Sequence, residues 1–239
     1  MEPTTLNTPE PTVVPSPSKD PPSEKTGVTP FVRHIDDYKK GFSSALRAFI
    51  YQAARNGLFL LLIVLKQFKL AGREHIPTDN TPFIVVANHV SNWDPPVVGC
   101  VLRGHRNVAF MAKQELMTPS HWLNAAFNWV GTIPVDRDSV SVTTLRVAKQ
   151  VALLPNWVLG VFPEGHRNID GTAKPKKGAA FMARMTGCAI LPIGIAYTPQ
   201  GARAQVGPII PVTKDADLDT LTEHLMNTLH TLKTQAEGL

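Results

Sequence analysis

The sequence is short of the residues that small folds use in place of a core. Its 239 residues include two cysteines, Cys100 and Cys188. That is too few for a disulfide framework, a multi-cysteine zinc ribbon or an iron–sulfur site, and it suits a reducing compartment. Charged residues make up only 18%, against 43% hydrophobic, so the bulk of the chain can bury a real core. Long apolar runs are missing as well. The uninterrupted stretch from Gly57 to Leu65 is nine residues, whereas a spanning helix needs about 20. No repeat of 20–50 residues is visible, and the length fits one mid-sized domain.

What is present is unevenly placed. Eight of the 21 prolines fall in residues 1–30, which also carry Glu2, Glu10, Asp20 and Glu24. Without a basic start, an apolar centre or a small-residue cleavage site, this stretch does not read as a signal peptide. It reads as a disordered, polar, proline-rich tail with almost nothing to bury. The net charge is +5. Residues 1–40 hold five basic and six acidic residues, so 41–239 holds 19 and 13, an excess of +6. Such an excess asks for an anionic partner, such as phosphate, a membrane surface or nucleic acid. No nucleic-acid-binding module is recognisable and the basic residues are scattered, which ranks nucleic acid last.

Residues 31–70 form a second segment. Leu46, Phe49, Ile50, Ala53 and Gly57 follow the spacing of one helix face, with Arg47, Tyr51 and Arg55 on the other. The stretch runs into Gly57–Leu65 and ends in Lys66 and Lys69. The pattern predicts an interfacial, monotopic helix or helix pair on a membrane face, with its basic residues meeting anionic head groups. A core helix with a flanking strand is the competing reading.

From residue 71 onward strand and helix patterns alternate. Strands are predicted over Pro82–Ala87, Asn107–Met111, Thr132–Val135, Trp157–Phe162, Ala189–Ala196 and Gln205–Val212. Helices are predicted over Pro95–Val101, Trp122–Val130, Ser139–Leu154, Lys177–Met185 (stopped by Gly187) and Asp217–Ala236. The alternation implies an α/β domain over 71–239, a mostly parallel sheet flanked by helices.

Three strand ends carry the chemistry. Asn88–Pro96 places His89 and Asp94 five positions apart at a strand-to-helix turn. A carboxylate on one imidazole nitrogen would leave the other to act as a base toward a hydroxyl. No serine or cysteine nucleophile is obvious, so the attacking hydroxyl would belong to the substrate. Asp94 before Pro95 would equally serve as a helix N-cap, and a single loop histidine carries little weight alone. Gly131–Arg137 and Phe162–Asn168 put Arg137, Glu164 and Arg167 just past two further strands. In open α/β sheets such ends converge on one crevice. A crevice with one base and two arginines suits deprotonation of a hydroxyl on a phosphate-bearing molecule.

The blocks Asn88–Asp94, Gly131–Arg137, Phe162–Arg167 and Ile190–Ile195, taken in order, resemble those of the glycerolipid acyltransferases. The likeness is to the bacterial 1-acylglycerol-3-phosphate acyltransferases in particular, and covers about Leu70 to Val212. Lys174–Gly178 adds the Lys-x-Gly that precedes the family's next helix. The resemblance implies transfer of a fatty acyl group from acyl-CoA or acyl-carrier protein to the 2-hydroxyl of lysophosphatidic acid. The product would be phosphatidic acid, a step of phospholipid biosynthesis. It implies His89 as general base and Asp94 as its orienter. Arg137, Glu164, Gly165, His166, Arg167 and Lys177 would hold the acceptor. Neither metal nor cofactor is called for, because a thioester is already activated. His166 departs from the family's pattern, placing an imidazole where a threonine hydroxyl is usual, which bears on head-group preference. A transferase for another lysolipid or for glycerol 3-phosphate is the nearest alternative. A non-catalytic membrane adaptor on the same fold is a more distant one.

Overall fold

The computed structural model describes residues 45–116, 127, 130–136, 140–168 and 174–239. The tail expected over 1–30, the start of the 31–70 segment and most of the helix expected over Trp122–Val130 lie outside the described residues.

Among the described residues the strands are β1 (Lys69–Ala71), β2 (Phe83–Ala87), β3 (Asn107–Lys113), β4 (Ile133–Val135), β5 (Trp157–Val161), β6 (Ala189–Thr198) and β7 (Gly201–Val206). They form one sheet in the order β1-β7-β6-β2-β5-β3-β4. Neighbours run parallel except β6 and β7, which form an antiparallel hairpin. The helices are α1 (Ala45–Lys66), α2 (Asp94–Val101), α3 (Val142–Ala152), α4 (Gly178–Thr186) and α5 (Leu218–Glu237). The expected α/β architecture with a mostly parallel sheet is what forms.

The sequence accounts for the layering. All five residues of β2 are buried, because a central parallel strand is covered on both faces and needs a continuous apolar run. Val85, Ala87, Ile193 and Ile195 pack with Val97 and Val101 of α2 on one face. Ile84, Val86 and Ile190 pack with Val151, Met182, Leu225 and Leu229 of α3, α4 and α5 on the other. Ser141 caps α3 by accepting from the Thr144 N–H, and Asp217 caps α5 through the Thr220 N–H. Gly187 ends α4 in the left-handed conformation, as expected from its position.

One strand expectation needs correction. The strand expected over Gln205–Val212 lies earlier, at Gly201–Val206, and beyond it only an isolated bridge joins Ile190 and Ile210. Pro208 and Pro211 lack the N–H that a longer ladder requires. β1 directly follows the helix of the 31–70 segment, where a flanking strand is the competing reading; its three residues pair with Arg203–Gln205 of β7.

Helix α1 uses only part of its apolar surface for the core. Leu62 is buried, and Leu58 and Phe59 pack beside it against the α2 side of the sheet. The Arg103 guanidinium lies 4.1 Å over the Phe59 ring and donates to Asn56 Oδ1 at 3.2 Å. Behind the helix the chain turns at Gln67, whose carbonyl accepts from the buried Arg203 at 2.7 Å. Leu60, Leu61 and Val64 remain 62%, 43% and 64% exposed. No described helix is long and apolar enough to cross a membrane.

Candidate active site

The loop between β2 and α2 is built around a buried carboxylate. Its start is fixed by Asn88, whose side chain donates to Ile195 O at 2.9 Å and accepts from Ile195 N at 2.7 Å. The amide thereby imitates one more rung of the β2–β6 ladder. Ser91 then closes a turn, its carbonyl accepting from Asp94 N and its hydroxyl from Trp93 N. Pro95 and Pro96 occupy the first turn of α2, where a missing N–H costs nothing. Asp94 is therefore the first residue of the helix, and Trp93 stands at its N-cap. The carboxylate turns back into the loop. Its Oδ2 accepts from His89 Nδ1 at 2.8 Å and from the Val90 and Ser91 N–H groups at 2.7 Å each. Its Oδ1 accepts from the Tyr197 hydroxyl at 2.8 Å. Asp94 has no exposed surface, whereas His89 reaches a cavity. With Nδ1 engaged, the His89 nitrogen left for chemistry is Nε2.

The imidazole is also held by its face. The Phe162 ring stacks on it at 4.3 Å and 20°, and Phe110 stacks on Phe162 at 5.2 Å and 4°. Gly160 makes the room for this ladder: a Cβ there would sit 2.5 Å from the Phe110 ring. The cavity measures 960 Å³, near the upper end for a small-molecule site. Val108, Phe110, Val161, Phe181, Met182 and Leu145 give it a carbon lining, and Ala54 and Leu58 of α1 form part of the wall. His89, Asn92, Arg106, Thr132 and Lys176 are polar or charged residues of the lining.

The remaining expected residues are distributed around this centre. Glu164 is buried, its Oε1 accepting from the His89 N–H at 3.3 Å. Its Oε2 is buried without a hydrogen-bond partner among the described residues. Burial pushes this carboxyl above the usual range, against the opposing pull of the backbone N–H groups. Gly165 turns the chain with φ of +70° and lines the cavity, while His166 and Arg167 are exposed just beyond it. Lys177 is not a lining residue: its Nζ pairs with Asp219 at 2.6 Å. Its neighbour Lys176 takes the place at the cavity. Arg137 lies outside the described residues. No three His, Cys, Asp or Glu side chains gather as metal ligands among the described residues.

Sequence reading missed Tyr197, Lys176, Phe110 and the bracing role of Asn88. Alternation offered one signal. Ile193, Ile195 and Tyr197 share the strand face that packs toward α2, which puts the tyrosine near the loop.

Comparison with known proteins places the chain in a family. The chain is 30% identical over 142 residues to a 1-acyl-sn-glycerol-3-phosphate acyltransferase of Streptococcus pneumoniae, covering 55% of this chain and 50% of that one. It is 35% identical over 133 residues to the alpha 1-acyl-sn-glycerol-3-phosphate acyltransferase of Ovis aries, covering 52% and 43%. The chain thus spans about half the length of these curated relatives. Its fold is similar to that of the crystallised 1-acyl-sn-glycerophosphate acyltransferase PlsC of Thermotoga maritima. The TM-score is 0.61 at 22% identity, with 84% and 86% of the two chains covered. The family model described as Acyltransferase matches residues 67–196, more than half of the sequence and the stretch that contains the His89–Asp94 pair. This chain belongs to the acyltransferase family.

Proposed function

We propose that this chain transfers a fatty acyl group from the thioester of acyl-CoA or acyl-carrier protein to the 2-hydroxyl of 1-acylglycerol 3-phosphate. The products are phosphatidic acid and the free thiol carrier. The observation that carries the reading is the His89–Asp94 pair at 2.8 Å, opening on a carbon-lined cavity large enough for an acyl chain. The names of the relatives support the choice of acceptor. Nε2 of His89 takes the proton of the acceptor hydroxyl as its oxygen attacks the thioester carbonyl carbon. Asp94 holds Nδ1–H and stabilises the imidazolium. Collapse of the tetrahedral intermediate breaks the C–S bond, and the departing sulfur receives the proton from Nε2. Arg137 and Arg167, with Gly165 and His166, bind the acceptor phosphate as the family resemblance implies. Glu164 acts from behind, through the His89 N–H, and Lys177 holds α5 through Asp219.

The exposed leucines and valine of α1 dock on a lipid surface at the cytoplasmic face, which brings the site to a lipid acceptor. The test is thiol release from acyl-CoA on addition of lysophosphatidic acid, with mass spectrometry of the lipid formed. His89→Ala should lower turnover by about 10²–10⁴-fold in a folded protein. Near wild-type turnover in that variant overturns the mechanism. A product lipid other than phosphatidic acid across an acceptor panel overturns the acceptor.

A further inference from the structure

Strand β6 outruns β2, its parallel neighbour. The two pair only as far as Ala87 and Ile193, and beyond that point β6 continues against β7 to Thr198. Two side-chain contacts arise from this overhang. Ile195 clasps Asn88 through its backbone, and Tyr197, two residues on, reaches the buried Asp94. The same strand therefore fixes both ends of the loop that carries His89.

The carboxylate shows why the second contact matters. Oδ2 has three donors, and Oδ1 has the Tyr197 hydroxyl as its one recorded donor among the described residues. Asp94 is fully buried, so no bulk water reaches Oδ1. An uncompensated carboxylate oxygen in such a place is costly, and its unshared charge acts on whatever else the carboxylate touches. Here that is the imidazole, together with the Val90 and Ser91 N–H groups. Burial, followed by the neighbouring Asp94 charge, drives the Tyr197 phenol far above its ordinary range.

We propose that Tyr197 is a positioning residue for the His89–Asp94 pair, spending its hydroxyl on Oδ1 so that Oδ2 alone orients the imidazole. This rests on the acyl-transfer reading, in which His89 is the base. Tyr197 touches no reacting atom. Its effect passes through Asp94 to Nδ1 and so to the basicity of Nε2. The groups facing the imidazole are Asp94 from α2, Phe162 and Glu164 from the segment after β5, and Tyr197 behind Asp94 from β6.

Tyr197→Phe keeps the ring in the core and removes only the hydroxyl. kcat should fall roughly tenfold, the lower end of what losing a hydrogen bond to a charged group costs, with KM for lysophosphatidic acid unchanged. With Oδ1 unshared, the carboxylate holds the imidazolium more tightly. The acid limb of the kcat–pH profile should therefore move to higher pH. A double-mutant cycle adds the decisive arm. In an Asp94→Asn background Tyr197→Phe should cost little further, because the carboxylate it serves is gone. Fully additive losses, or an unmoved acid limb with wild-type kcat per folded molecule, overturn the proposal and leave Tyr197 as packing only.

A readout without substrate separates this proposal from the functional reading. Diethyl pyrocarbonate modifies neutral imidazole, and peptide mass spectrometry gives the rate at His89. That rate should show the same shift to higher pH in Tyr197→Phe. If wild-type protein transfers no acyl group but the His89 labelling profile still moves, the positioning role stands and the acyl-transfer reading falls. If transfer is normal and the labelling profile does not move, the positioning role falls alone.

Discussion

Glu164 sits at the meeting point of stability and chemistry. Its one bonded oxygen holds the His89 main chain, and the other is buried without a partner among the described residues. Burial favours the neutral acid in the fold, so the carboxyl lies above its ordinary value of 4.5. For an acid shifted upward, the favourable contribution is fully present below the unfolded value and is lost as pH rises through the folded one. At neutral pH, where the side chain of the unfolded chain is ionised, its burial therefore costs stability. Glu164→Gln keeps an oxygen for the His89 N–H and removes the charge. Its Tm should exceed that of the wild type near neutral pH, and the gap should shrink as pH falls toward about 4. A gap that stays constant between neutral and acid pH would show that Glu164 ionisation is not the cause. The residue scale was also where sequence reading was least complete. Lys176 and Lys177 are adjacent, and only the pairing of Lys177 with Asp219 reveals which one lines the cavity. Tyr197 stands 103 positions from Asp94, a distance that only the sheet order closes.

Helix α1 is amphipathic in a way that a two-sided pattern does not describe. One side meets the core through Leu58, Phe59 and Leu62; another leaves Leu60, Leu61 and Val64 in the open. Both readings of the segment thus had a physical basis, since the helix packs on the sheet and keeps an apolar strip besides. Leu60→Glu with Val64→Glu should leave folding nearly unchanged, within about 0.5 kcal/mol, because both side chains are mostly exposed. The same pair should sharply reduce co-sedimentation with phosphatidylglycerol-containing vesicles. Full sedimentation of the folded double variant would move the lipid-binding surface elsewhere. Elements such as β2 and β6 were legible because burial on both faces demands unbroken apolar runs. β7 was not. Its buried positions are Ala202, Arg203, Ala204 and Val206, and small residues around an arginine do not look like a strand interior. The three residues of β1 are too few for any periodicity to show.

For the whole molecule, the order of the strands is what gathers segments that the sequence keeps far apart. β2 and β5 are neighbours, so the loops at Asn88–Asp94 and Phe162–Arg167 leave the same edge of the sheet. That convergence could be inferred from alternation of strands and helices, because parallel sheets put their strand ends together. The stacking of Phe110 on Phe162 and of Phe162 on His89 could not, since it depends on the β3–β5 register and on the space left at Gly160.

On the proposed acyl-transfer reading, the carbon lining around His89 bears on a competition inside the cavity. A thioester can be attacked by water as well as by an alcohol, and a base strong enough for one serves the other. A site walled by Val108, Val161, Phe181 and Met182 offers water few hydrogen bonds, so it discriminates between the two nucleophiles before any bond is made. Fidelity would then reside in the side chains that never touch the reacting atoms. Phe181→Asn should leave transfer measurable yet raise the fraction of thiol released without lysophosphatidic acid. The ratio of free fatty acid to phosphatidic acid, read from one reaction mixture, reports it directly. An unchanged ratio would mean that water is kept out by the bound substrates themselves rather than by the wall.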